Sequence, residues 1–238
     1  LIAEHVFNSA WWGESVGITV DLADLMAPAD AIERAGAPFA WVEARVPAPA
    51  LPFGWLGPTN GFQYVDTQLA YRANLRRLDP LPTDVALVTA AEHPIDTSDF
   101  APFSTERYAR LPGIDADRLA DRYARWADDL VAASPSTCAS VFHRHALAGY
   151  VFGSVSGSKG AFTLAVASRT TATPGLSIYL AASHLLRDAG ATTMSSALSA
   201  TNLAAINAHV ALRCLFVSAT TVWIRTRPSV PAASGQRP

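Results

Sequence analysis

The stretch TPGLSIYLAASHLLRDAGA, residues 173–191, constrains the fold more than any other. An apolar strand pattern ends near Ser168, Gly175 follows, and a helix pattern runs through Arg187 to close at Gly190. The first turn of such a helix leaves the N–H groups of Leu176, Ser177, Ile178 and Tyr179 without intrahelical acceptors. Those donors and the helix dipole suit an anion, and a glycine lets a ligand approach closely. Ile178, Ala181, Ala182 and Leu185 form an apolar face at helical spacing. A glycine at a strand-to-helix junction also serves simply as a turn, so both readings stand on this stretch alone.

The segments that follow continue the alternation: ATTMSSAL is a strand, NLAAINAHVAL a helix and FVSATTVWIRTR a last strand. Within the second helix, Asn202, Ala205, His209 and Leu212 recur at i, i+3, i+7 and i+10 and share one face. Upstream, SVGITVDLADL places Ile18, Val20 and Leu22 on one face of a strand. PADAIERAG is a short helix, PFAWVEARV a strand, and GFQYVDTQLAY carries Val65, Leu69 and Tyr71 at even spacing. The proline-bearing RRLDPLPTD sets an expected boundary near Pro82. DVALVTAAE is then a strand, and a long irregular connection leads to DADRLADRYARWADDLVAA. In that helix Asp115 caps, and Leu119, Tyr123, Trp126 and Leu130 form a core stripe. STCASVFHRHALAGYVFGSV and GAFTLAVAS are antiparallel strands joined through SGSKG. The expected domains are 1–82, 83–228 and a disordered tail, 229–238.

At 238 residues, half of them hydrophobic and 16% charged, the chain can bury a sizeable core. A net charge of −2 gives no footprint for a phosphate backbone, so nucleic acid is not an expected partner. The longest uncharged runs are broken by Asn, Ser, Thr and His, so no membrane span is expected, and the first residues lack the pattern of a signal peptide. Cys138 and Cys214 are the two cysteines; they fit a core role and a reducing cytoplasm. Lys159 is the one lysine among 18 Lys and Arg residues, beside abundant Ala and Pro, a composition of high-GC bacterial genomes. His143, His145 and Cys138 have no second ligand cluster at metal spacing, and neither a hydrolase elbow nor a phosphate-binding Gly-Lys loop is present. The tryptophans are scattered, as core or cleft walls are.

The order strand, glycine turn, helix, strand, Asn-x-x-Ala-x-x-x-His-x-x-Leu resembles the C-terminal half of the GNAT superfamily of N-acetyltransferases. NSAWWGESVGITVDLAD, GFQYVDTQLAY and DRYARWADDLV before LAGYVFGSV are similar to the dTDP-fucosamine acetyltransferase group, which acetylates an amine of a nucleotide-linked amino sugar. The resemblance implies a GNAT fold, a mixed, mostly antiparallel sheet flanked by helices, preceded by a smaller partial GNAT-like α/β unit. It also implies acetyl-CoA or another acyl-CoA as co-substrate and a small-molecule primary amine as acceptor, an intermediate of secondary metabolism among the candidates, with a homodimer as a candidate assembly.

By the same resemblance, Gly175 and the amides from Leu176 to Tyr179 hold the pyrophosphate, and the strand through Val166 and Ala167 pairs with pantetheine. Asn202 positions that arm, and His209 stands where the family often has a tyrosine that protonates the departing thiolate. The match has departures: Ala172 stands for Arg or Gln, Ser177 for a second small residue, and Arg213-Cys214 for Gly-Phe. His209 has two readings, a general acid or a helix histidine satisfied by a neighbouring carbonyl or water. His143 and His145, two apart on an expected strand, and Glu92 and His93 are candidate bases for the amine; an exposed polar face is the alternative reading. Asp99, Ser104 and Arg107 lie where the group contacts its acceptor. A protein that keeps the fold but performs a CoA-independent step, such as a cyclisation, or only binds a small molecule, is the competing expectation.

Overall fold

The computed structural model describes residues 2–21, 23, 26–48, 61–103, 106–170 and 175–227. Leu22, Trp55, Ser104, Ala172 and the tail from 229 lie outside the described residues. The chain forms two compact units, 1–66 with 220–238, and 67–219.

In the first unit, β1 (Ala3–Glu4) precedes α1 (Val6–Trp12) and runs antiparallel to β2 (Val16–Thr19). A crossover through α2 (Ala29–Gly36) makes β3 (Trp41–Pro47) parallel to β2. The start of β4 (Gln63–Asn74) and the end of β10 (Leu215–Thr226) complete it, with Thr220–Thr226 antiparallel to β3. Val42, Ala44 and Val46 alternate toward Ile32 of α2, with Phe39 and Trp223 packed against them. The strand expected through Leu22 stops at Thr19, and Val20 is 65% exposed.

The second unit holds the remainder of β4, then β5 (Val85–Thr89), α3 (Ala116–Ala133), β6 (Cys138–His143), β7 (Ala146–Ser156) and β8 (Lys159–Ala167). It ends with α4 (Gly175–Asp188), β9 (Thr193–Ser199), α5 (Leu203–Ala211) and the start of β10. Strand order is β4-β9-β8-β7-β6-β5, antiparallel throughout except for β8 beside β9, which α4 connects. This is the mixed, mostly antiparallel sheet flanked by helices that the pattern implies.

Strand alternation splits the core of this unit. Val151 faces Ile178, Ala182 and Leu186 of α4, whereas Tyr150 and Phe152 face Tyr123 and Ala127 of α3. Gly149 and Gly153 flank Val151 on the α4 side. A Cβ at Gly149 would overlap the Val166 carbonyl and approach Ile178 Cδ1 at 3.0 Å, and one at Gly153 would meet Leu186 Cδ2 at 2.9 Å. Bare backbone at these positions lets α4 lie flat on the sheet. In α3, Asp115 accepts the Arg118 N–H at 2.8 Å, the cap its sequence implies. Leu119 and Tyr123 of the stripe are buried, Trp126 and Leu130 lie at its margin, and Ala127 is the most deeply placed.

Two expectations change. β4 runs unbroken through Asp66, so the boundary falls inside a strand and not near Pro82; RRLDPLPTD is a connection within the second unit. The segment around FHRHAL is not one strand but a hairpin turned by Arg144 and His145, both with positive φ (51° and 67°). Cys138 and Cys214 are buried free thiols, and burial pushes the Cys214 thiol up to about 11. No described helix is long and apolar enough to cross a membrane.

Candidate functional site

The parallel pairing of β8 and β9 lasts three residue pairs, Lys159 with Thr193, Gly160 with Met194 and Ala161 with Ser195. Immediately beyond, the register between β7 and β8 shifts so that Thr163 has no opposite residue, a bulge that bends and twists the strand. β8 then stays with β7 as far as Ala167, and β9 stays with β4 as far as Ser199. The two strands part, and the edge of β8 at Ala165 has no strand beside it among the described residues.

α4 begins past the end of this opening. Gly175 and Leu176 are exposed, and among the described residues a Cβ on Gly175 would meet only Tyr179 Cε2, at 3.6 Å. The first-turn N–H groups of Gly175, Leu176 and Ser177 have no acceptor within the helix. The Tyr179 N–H lies within the i to i−4 ladder, bonded back to Gly175, so it drops out of the expected anion-binding set, and the Ile178 side chain is buried against the sheet.

The ladder also sorts the two expected pantetheine contacts. Ser168 donates its N–H to the Ala148 carbonyl of β7 (2.9 Å), which turns the backbone of Val166 toward β7 and that of Ala165 and Ala167 outward. Val166 is thus a core residue. The Ala167 carbonyl already accepts the Ala101 N–H at 2.9 Å, and Arg169 donates to the carbonyls of Asp99 (backbone N–H, 2.8 Å) and Phe100 (guanidinium, 3.2 Å). Residues 99–101 therefore lie along the last residues of β8. The Asp99 carboxylate accepts the Tyr150 hydroxyl at 3.2 Å; burial and this carboxylate both raise the tyrosine pKa.

His209 projects from α5 and is 2% exposed. Its Nδ1 lies 2.7 Å from the Ala205 carbonyl, one turn back, so Nδ1 carries the proton and donates it. Nε2 is then a lone-pair acceptor; it is buried and has no partner among the described residues. The imidazole is flanked by Tyr71 of β4, centroids 4.2 Å apart, and Tyr179 of α4, 4.4 Å apart. Burial lowers its pKa, which keeps the ring neutral near pH 7. A neutral imidazole with Nδ1–H committed has no proton to give from Nε2. The expectation of a histidine general acid therefore gives way to a neutral acceptor.

Tyr71 supplies a second orphaned atom. It is 2% exposed and its phenolic oxygen is buried with no well-formed hydrogen bond among the described residues; Ser196, opposite it in the β4–β9 register, is near enough for a weak one that partly offsets the effect of burial. Burial raises its pKa far above the ordinary tyrosine value. The sequence marked Tyr71 only as one of three evenly spaced core residues; nothing in that pattern indicates an unpaired hydroxyl.

The other candidates fall elsewhere. His143, at the end of β6, places Nε2 3.2 Å from Asp84, and His145 sits in the hairpin turn, so the two do not share a strand face. Glu92 accepts the N–H and hydroxyl of Thr89, bonds that lower its pKa, and His93 Nδ1 lies 2.9 Å from the Pro94 carbonyl. Asn202 is not inside the helix but caps it, accepting the Ala205 N–H at 3.0 Å, which commits its oxygen. The Arg107 guanidinium donates to the Tyr108 hydroxyl. No three metal-ligating side chains converge among the described residues.

An acyl-CoA fits this framework in two respects: among the described residues the β8 edge at Ala165 has no strand beside it, and the first turn of α4 begins with an exposed glycine. Leu176 and Ser177 would hold its pyrophosphate and the outward backbone of Ala165 its pantetheine arm, residues 99–101 already lying along β8 at Ala167.

No protein-family model and no curated protein matches the sequence. Solved structures do resemble the fold. A GCN5-related N-acetyltransferase from Sphaerobacter thermophilus superposes with a TM-score of 0.53 at 13% identity, over 83% of this chain and 64% of that one. One from Kribbella flavida gives 0.51 at 13%, over 89% and 81%. A conserved protein of unknown function from Staphylococcus epidermidis gives 0.56 at 10%, over 90% and 84%. The chain thus spans under two thirds of the Sphaerobacter protein. What these likenesses show is the architecture: the chain has the fold of the GCN5-related N-acetyltransferases.

Proposed function

We propose that the protein is an N-acyltransferase that moves an acetyl or other short acyl group from acyl-CoA to a primary amine of a small polar acceptor. The parting of β8 and β9 after three pairs carries the reading, because it exposes strand backbone that can bond an extended amide-containing arm. Bound acyl-CoA would supply an activated thioester. The chain's part is to hold the arm straight along β8, to shield the thioester from water between α4 and α5, and to bring the amine up unprotonated. We assign to Asp99, whose segment lies along the end of β8, the role of relieving the ammonium of its proton, directly or through water; its position beside β8 supports the reading. Resemblance to the dTDP-fucosamine group favours a nucleotide-activated amino sugar as acceptor.

A second reading rests on a specific observation. Ala101 already occupies the Ala167 carbonyl, and Tyr179 stands between Gly175 and His209, so the opening is narrowed from both sides. A GNAT-fold protein performing a CoA-independent step would look the same. The two separate in an assay of free thiol released from acetyl-CoA in the presence of primary amines, dTDP-linked amino sugars included. Amine-dependent release supports acyl transfer; absence of release with every amine, together with tight binding of an amine metabolite alone, supports the second reading.

A further inference from the structure

Arg225 places a charge on the face of the first unit that α2 covers. In the β3–β10 register it stands opposite Val42, two residues beyond Trp223, which packs with Val42, Ala44 and Val46 against α2. It is partly buried. A Cβ built on Gly61 would lie 3.4 Å from its Nε, and one on Gly36 3.8 Å from its Nη1, so the guanidinium spans from Gly61 to the end of α2. Arg34 and Arg45 of this unit have acidic partners, Asp30 and Glu43, whereas Arg225 has no hydrogen bond or ion pair among the described residues.

Beside it is a cavity of about 220 Å³ lined by Glu33, Gly36, Phe39, Val42, Arg225 and Arg227. Arg227 donates from Nη2 to the Ala37 carbonyl at 3.2 Å, the part a cation plays at a helix C-terminus. A second guanidinium is surplus to that need. Glu33 lines the same cavity, yet forms no ion pair with either arginine among the described residues. Two guanidiniums against one carboxylate leave one positive charge to be met.

The chemistry of the ligand follows from these walls. A partly desolvated guanidinium without a counter-charge is costly, and its planar fork matches a carboxylate. One excess positive charge suits a monoanion, and Glu33 opposes a more highly charged phosphate. Phe39 and Val42 supply an apolar wall for the body that carries the charge. At about 30 Å³ per water the cavity has room for about seven waters, which admits an organic acid of about seven to ten non-hydrogen atoms.

We infer that this cavity of the first unit binds a small apolar monocarboxylate, with Arg225 and Arg227 holding the carboxylate and Phe39 and Val42 its hydrocarbon body. Every residue named belongs to the first unit, so the inference does not rest on the acyl-CoA reading.

The test titrates the full chain with benzoate by calorimetry, with benzyl alcohol and inorganic phosphate in parallel arms. Benzoate is expected to saturate one site at about millimolar concentration or tighter, with both others at least about tenfold weaker. Arg225→Gln should weaken benzoate about tenfold. Arg34→Gln, the same change of charge on α2 but outside the cavity, should leave it within about twofold. Phenylglyoxal labelling of the native protein, read by mass spectrometry, locates the site without a variant: benzoate should slow modification of Arg225 and not of Arg34. Absence of saturation, equal affinity for benzyl alcohol, tighter binding of phosphate, or labelling of Arg225 that benzoate does not slow overturns the inference.

Discussion

At the residue scale, His209 shows how position and role come apart. Its spacing from Asn202 was legible, because i and i+7 define a helix face from sequence alone. Its protonation was not, since that depends on an i−4 carbonyl at 2.7 Å and on burial, both tertiary outcomes. The consequence is a dependence of stability on pH. With the folded pKa below the unfolded value of about 6.5, the unfolded chain binds more protons in the interval between them. The contribution is therefore fully present above about pH 6.5 and is lost as pH falls from there through the folded pKa, at up to about 1.4 kcal/mol per pH unit. His209→Phe keeps the contacts with Tyr71 and Tyr179 and removes this term. Urea denaturation from pH 7.5 to 5 should show the variant losing less stability than the native chain; parallel curves would mean that His209 is not held neutral. Asn202 gives a parallel lesson: its side-chain oxygen caps α5 by accepting the Ala205 N–H, a role its residue type already favours.

At the element scale, apolar periodicity located most strands and helices, and the Asp115 cap was readable from the residue type. What periodicity missed is instructive. The β6–β7 turn uses Arg144 and His145 in place of the Asn-Gly or Asp-Gly pair that marks such a turn, so the hairpin had no turn signal. The bulge at Thr163 leaves no mark in an alternating pattern, although it falls two residues past the last β8–β9 pair and sets where the opening begins. The element that fixes this geometry is α4, seated on bare backbone at Gly149 and Gly153. Gly149→Ala forces a methyl into the Val166 carbonyl and Ile178, and is expected to destabilise the chain by about 1–3 kcal/mol. A urea midpoint equal to that of the native protein would show that α4 is not pressed against β7 as described.

At the scale of the whole molecule, the sequence conveyed an α/β fold with a smaller unit before a larger one, but not where they divide. Pattern reading assigns elements and not their partners. A strand 12 residues long such as β4 therefore reads as belonging to one domain although the division falls after Asp66, and nothing local shows that Thr220–Thr226 returns to pair with β3. The same limit applies to residues 99–101, whose place along β8 is visible only in the folded chain. The central claim is that the opening between β8 and β9, with the α4 amides at its mouth, receives an acyl-CoA. The most direct measurement is a calorimetric titration of the protein with acetyl-CoA, with dTDP as a control for general nucleotide binding. The account expects saturable one-to-one binding of acetyl-CoA in the micromolar range, well above any affinity for dTDP. No heat from acetyl-CoA at millimolar concentration would contradict it.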